Sequence, residues 1–145
     1  GFPEISKKDK KAKYSKKGSF KQNYNTYTDL KAAIKNFDND RFLKKKQKIE
    51  VIKGDANFTI PKFIKKNKHL VISLLWLDFD IYKPTKTALD FFIPKMAKGS
   101  LVIFDELNNP MWPGETIAFF ESNKIKYRKL EIFEFEPNVA FLEIL

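Results

Sequence analysis

The chain of 145 residues contains no cysteine, five glycines, one histidine and two arginines among 28 basic side chains. Without cysteine there are no disulfides and no thiolate nucleophile or thiolate metal ligand, so the redox compartment leaves no trace in the sequence. A single histidine, His69, excludes a histidine-cluster metal centre, and its place at the start of an apolar run suits a structural role. The glycines stand at 1, 18, 54, 99 and 114, so no Gly-x-Gly phosphate or nucleotide turn exists in the chain. No apolar run approaches the roughly 20 residues that a membrane-spanning helix needs. The first residues have no signal-peptide pattern, and a cytoplasmic protein is the expectation.

What is present begins with charge. Residues 1–69 hold 20 Lys and Arg against 7 Asp and Glu, a net +13, whereas residues 70–145 hold 8 against 11, a net −3. A basic half can serve an anionic partner, which leaves open a non-catalytic basic binding module. Scattered lysines are also ordinary solvated faces, and 26 of the 28 basic residues are Lys. Lys7, Lys8, Lys10, Lys11, Lys16 and Lys17, interleaved with Tyr14 and followed by Phe20, lie in a polar arm without periodicity. Two aromatics do not make a stacking platform for bases, and nucleic acid is not the expected partner. The arm is read as residues 1–26, and the remainder, 27–145, as the α/β core of a single domain of ordinary size.

The core is organised around His69 to Glu115. The run Leu70–Leu77 is almost wholly apolar and ends on Asp78-Phe79-Asp80. A helix starting near Tyr82-Lys83-Pro84-Thr85 follows, with Ala88, Leu89, Phe92, Ile93 and Met96 at helical spacing. Pro94 predicts a kink or an early end there. Lys98-Gly99 breaks the pattern, and Ser100–Phe104 is a second apolar run that ends on Asp105-Glu106. Two strands apolar on both faces and joined by a helix predict a parallel βαβ unit. Ligands of such sheets sit beyond the carboxyl ends of the strands, where Asp78, Asp105 and Glu106 fall.

Upstream, Thr28 is placed to cap a helix over 29–37, and Lys48–Ile52 alternates like a short strand ending on Gly54-Asp55-Ala56. A helix near 59–67 carries Pro61 close to its first turn. Downstream, a helix runs from the Trp112-Pro113-Gly114 loop to about Asn123. Arg128–Phe135 and Val139–Ile144 are then so close in sequence that they must pair antiparallel. The expected order is β-α-β-α-β-α-β-β, ending in an antiparallel hairpin.

Leu77-Asp78-Phe79-Asp80-Ile81-Tyr82-Lys83-Pro84-Thr85, Lys98-Gly99, Phe104-Asp105-Glu106 and Trp112-Pro113-Gly114-Glu115 together resemble the macrocin O-methyltransferase-like family. Its members are class I methyltransferases that use S-adenosylmethionine (SAM), several of them on sugar hydroxyls. The resemblance implies a Rossmann-like, three-layer αβα methyltransferase fold, here lacking its first two strands. It implies an O-methyltransferase whose partner is a small-molecule acceptor, a sugar or nucleotide-sugar hydroxyl. It places Mg²⁺ or Mn²⁺ on Asp78, Asp105 and Glu106, and the cofactor against Gly54, Asp55, Ala56 and Asp78. Asp55 would meet the adenine amino group. Apart from the resemblance, position and chemistry make Asp78 and Asp80 the candidate catalytic carboxylates, with Asp80 open to a base, acceptor-binding or supporting role, and Tyr82 and Trp112 candidate walls of the acceptor site.

The residues themselves leave other roles open. Asp78 and Asp105 can be strand-end caps or ion-pair partners, Gly54-Asp55 a plain turn, and Trp112 simple packing. The family's glycine-rich turn and ribose-binding acid would both lie upstream of residue 1, so weak binding of SAM by this chain alone is expected. One edge of the Leu70–Leu77 strand would then need covering. The Ile49–Ile52 strand moved inward, a second copy of the chain, or a separate N-terminal piece could cover it.

Overall fold

A computed structural model describes residues 1–9 and 15–145. The arm residues Lys10, Lys11 and Tyr14 lie outside the described residues. Helix α1 spans Thr26–Asp40 and α2 Ala56–Lys66; β1 is Ile72–Leu77, α3 Tyr82–Phe92 and β2 Met96–Phe104. Helix α4 is Pro113–Phe120, and the chain closes with β3, Tyr127–Phe133, and β4, Glu136–Ile144. The sheet order is β1-β2-β4-β3. Strands β1 and β2 are parallel, with Leu75 opposite Val102 and Leu77 opposite Phe104. Strand β4 runs antiparallel to both β2 and β3. The βαβ unit and the terminal hairpin are therefore as the periodicity requires, and the whole is an α/β, Rossmann-like fold.

Alternation along the strands decides where the core sits. Leu75, Leu77, Val102, Phe104, Ala140, Leu142 and Ile144 point to one face and are buried under Ile60, Ala88, Leu89, Ile93, Ala118 and Phe119 of the helical layer. Burying one such aliphatic or aromatic side chain is worth about 1.5–3 kcal/mol. The intervening β1 residues, Leu74 at 53% and Trp76 at 55% exposed, face the other way and remain open. Pro94 ends α3 as expected: the helix stops at Phe92, a single 3₁₀ turn spans Ile93–Lys95, and β2 begins at Met96. A proline N cannot continue the helical hydrogen-bond ladder.

Several boundaries differ from the sequence reading: β2, expected from Ser100, begins at Met96 and runs through Lys98-Gly99, and three further differences bear on the site. Helix α1 is preceded by Asn25 at its N-cap and already includes Thr28. Helix α2 begins at Ala56, because the Asp55 side chain accepts from the Asn57 amide at 2.9 Å; Pro61 thus lies inside the helix. The third is the strand expected over 48–52, which does not form: residues 47–53 carry no regular structure. Apolar alternation makes a strand only where a neighbour supplies ladder hydrogen bonds. Here Gln47, Ile49, Glu50 and Val51 instead share a shallow cleft with Tyr27, Lys31 and Ile34 of α1. Strand β1 is consequently an outer strand paired only with β2, and no strand among the described residues pairs with its other edge. The inward move of Ile49–Ile52 is overturned. Among the described residues, no helix is long and apolar enough to cross a membrane.

Candidate active site

The parallel pair sets the geometry. The Asp105 amide donates to the Leu77 carbonyl at 3.0 Å, tying the two strand ends so that Asp78 and Asp105 leave the sheet side by side. Strand alternation stops at Leu77. Asp80 lies beyond it in a tight turn, with the Ile81 amide on the Phe79 carbonyl at 2.6 Å and φ of +59° at Asp80 itself. A non-glycine residue in the left-handed region is strained, and such residues gather at functional sites. The turn, rather than the strand, aims Asp80.

A cleft of about 500 Å³ opens at the end of β1, and Asp105 and Glu106 are not in its lining. Its lining includes Gly54, Asp55, Ala56, Asp78 and Asp80, joined by Phe2 and Phe20 of the arm. The positions assigned by resemblance to the cofactor thus share one cavity with the two assigned to catalysis. Asp55 keeps one oxygen, Oδ1, on the Asn57 amide and the Asn57 side chain, each at 2.9 Å. The turn reading of Asp55 is therefore real, and it fixes a carboxylate at the cleft wall.

The electrostatics are those of crowded acids. Burial first, then the charges of Asp78, Glu106 and Asp105, push the Asp80 carboxyl up to about 6. Asp105 is raised by burial and by Asp78, while a hydrogen bond from the Trp76 side chain pulls the other way. Glu106 is raised by burial and by Asp105, against a hydrogen bond from the Asn109 side-chain amide. Among the described residues, no three His, Cys, Asp or Glu side chains converge closely enough to hold a metal ion as they stand. The donor chemistry nevertheless fits Mg²⁺: hard carboxylate oxygens, mutually repelling, at adjoining strand ends.

Three residues that matter here were not assigned roles from the sequence. Glu115, in the first turn of α4, is fully buried; its Oε1 accepts from the Glu106 amide at 3.0 Å, and its Oε2 has no partner among the described residues. Burial and the nearby acids raise it to about 8, although the Glu106 amide opposes the shift. Asp9, also buried, accepts from the Tyr82 amide through Oδ1 at 2.7 Å, capping α3 from the arm. A methyl group at Gly114 would overlap both Asp9 Oδ1 and Tyr82 N, so glycine is what lets arm, α3 and α4 meet. Phe20, the third, packs with Phe2 on Trp112. Contacts across 73 residues, as from Asp9 to Tyr82, leave no periodic signal. The acceptor-wall candidates lie differently. Tyr82 donates its hydroxyl to Glu121 at 2.6 Å under the Lys8 ammonium, outside the cleft lining; Trp112 is buried beneath Phe2 and Phe20.

A mixed sheet whose parallel strands end in carboxylates defines a Rossmann-like α/β domain. Among solved structures the chain is similar to the calicheamicin methyltransferase CalS11, at 32% identity and a TM-score of 0.92 over 99% of this chain and 56% of that one. It is also similar to the apo form of CalS11, described as a TDP-rhamnose 3'-O-methyltransferase of calicheamicin biosynthesis. There the identity is 34% and the TM-score 0.75, over 81% of this chain and 50% of that one. The chain therefore spans about half the length of the solved chains it matches. No model of a protein family and no curated protein sequence matches it.

Proposed function

We propose that this chain carries the acceptor- and metal-binding part of a SAM-dependent O-methyltransferase of the macrocin O-methyltransferase-like type, acting on a sugar or nucleotide-sugar hydroxyl. The observation that carries the reading is the single cleft that gathers Gly54, Asp55 and Ala56 with Asp78 and Asp80. The likeness to a sugar O-methyltransferase over almost the whole chain supports it.

Asp55, fixed by Asn57, offers its remaining oxygen to an exocyclic amine such as that of adenine. Asp78, Asp105 and Glu106 would hold Mg²⁺ or Mn²⁺. When bound, SAM supplies an electrophilic methyl group and the metal lowers the pKa of an acceptor hydroxyl. Asp80 takes the hydroxyl proton on its carboxylate, placed for this by its turn and by its share of the cleft. The buried Glu115 holds the Glu106 backbone, and with it the end of β2, in place.

Replacement of Asp105 by Ala tests the assignment. The variant should lose activity that Mg²⁺ or Mn²⁺ restores to the chelated parent protein. Activity of the parent that continues undiminished in excess chelator would remove the metal from the reading.

A further inference from the structure

Glu106 is held at both ends. Its amide donates to Oε1 of the buried Glu115 at 3.0 Å, and its side-chain Oε2 accepts from the Asn109 side-chain amide. The backbone on either side of Asn109 is closed into turns: the Asn109 amide donates to the Glu106 carbonyl at 3.3 Å, and the Trp112 amide to the Asn109 carbonyl at 3.1 Å. The Met111 amide donates to Asn109 Oδ1 at 2.9 Å. With Oδ1 engaged as an acceptor, the NH₂ group is the end of the side chain that faces Glu106, so the network itself fixes which way the amide points. The loop is rooted as well. Leu107 is buried in the core, and the Asn108 amide, at a φ of +63°, donates to Thr116 Oγ1 at 2.8 Å. An asparagine that served only to close the turn would need its Oδ1 on Met111 and nothing more. The hydrogen bond to the Glu106 carboxylate is additional.

We infer that Asn109 is a positioning residue that leaves Glu106 one oxygen for a cation, and so tunes the metal site toward Mg²⁺ or Mn²⁺ and against Ca²⁺. The inference rests on the metal reading of Asp78, Asp105 and Glu106 above. Ca²⁺ gathers about six to eight oxygens in a loose shell, and carboxylates that give both oxygens help to fill it. Mg²⁺ takes a small, near-octahedral shell that single carboxylate oxygens and waters satisfy. Oε2 of Glu106 is already committed to Asn109. For Glu106 to embrace a cation with both oxygens, that bond would have to give way, leaving the Asn109 N–H without its acceptor. Groups that bond to a ligating side chain fix its orientation and are felt in metal affinity although they never touch the ion. Asn109 stands in that relation to Glu106, just as Glu115 does to the backbone beneath it.

Metal binding to the native protein tests it, with Mn²⁺ followed by electron paramagnetic resonance and Mg²⁺ and Ca²⁺ by calorimetry, in the parent, Asn109→Ala and Asn109→Asp proteins. The parent should bind Mg²⁺ and Mn²⁺ in preference to Ca²⁺. Asn109→Ala should weaken Mg²⁺ and Mn²⁺ by about tenfold or more and Ca²⁺ by less, so that the preference narrows. Asn109→Asp keeps the acceptor for the Met111 amide and loses only the donor to Glu106. Its extra charge tightens every cation, but the preference should narrow as in Asn109→Ala. Unchanged melting temperatures in metal-free buffer establish that the variants are folded. If the parent binds metal and all three proteins show the same preference, Asn109 has no such role while the metal reading stands. A narrowing in Asn109→Ala that Asn109→Asp does not share would trace the effect to the Met111 bond and also overturn the inference. A parent that binds none of the three cations overturns the metal reading, and this inference with it.

Discussion

Replacing Glu115 by Gln should abolish a dependence of stability on pH that the native carboxyl imposes. Glu115 is 0% exposed, holds the Glu106 amide through Oε1, and has Oε2 buried without a partner among the described residues. Its folded-state pKa is about 8 against an ordinary 4.5. Below pH ~4.5 the group is protonated in both folded and unfolded states and contributes no pH dependence. Between ~4.5 and ~8 the unfolded chain has released the proton while the folded chain retains it, so stability falls as pH rises. Above ~8 both states are ionised and the penalty is constant, at most roughly 5 kcal/mol for a gap of this size. Gln keeps an acceptor for the Glu106 amide and cannot ionise. Below pH ~8 the folded carboxyl already carries its proton on Oε2 without an acceptor, and the Gln amide puts a second such N–H there, which costs about 1–3 kcal/mol. The variant should therefore be no more stable than the parent at pH 5 and more stable by about 2 kcal/mol at pH 8.5. Urea unfolding in chelator-containing buffer at pH 5, 7 and 8.5 measures the difference. A difference between the two proteins that does not change across this range would refute the reasoning.

Asp80→Asn keeps the shape of the turn but removes the proton acceptor, so kcat should fall by about 10²–10⁴ with little change in the KM for SAM, as steady-state kinetics would show. An equal rise in that KM would place Asp80 on the cofactor instead. Gly114→Ala drives a methyl group into Asp9 and the start of α3, and should destabilise the fold by about 1–3 kcal/mol in urea unfolding. Unchanged stability there would mean that the arm does not dock through Asp9.

The fold was legible where a residue's role depends on near neighbours. The apolar runs that end at Leu77 and Phe104 needed only each other, Pro94 needed only its own missing N–H, and the short link between β3 and β4 left no other pairing. Reading failed where a partner lay far off in the chain. Ile49–Ile52 had the alternation of a strand but no strand beside it, and Asp55, taken as the end of that strand, is the cap that starts α2 early. The carboxylates at the strand ends were visible because topology alone puts them there. Glu115 was visible only as the end of the Trp112–Glu115 motif, and its burial against the Glu106 amide shows only in the folded chain. Phe20 and Asp9 acquire their places through the folded arm, which no local pattern announces.

The central claim is that one cleft transfers a methyl group from SAM to a sugar hydroxyl. Mass spectrometry of TDP-rhamnose after incubation with SAM, Mg²⁺ and the native protein tests it most directly. The account predicts a product heavier by one methyl group, formed together with S-adenosylhomocysteine and suppressed by chelation or by Asp105→Ala. An unmodified sugar nucleotide, with SAM left intact under all of these conditions, would contradict it.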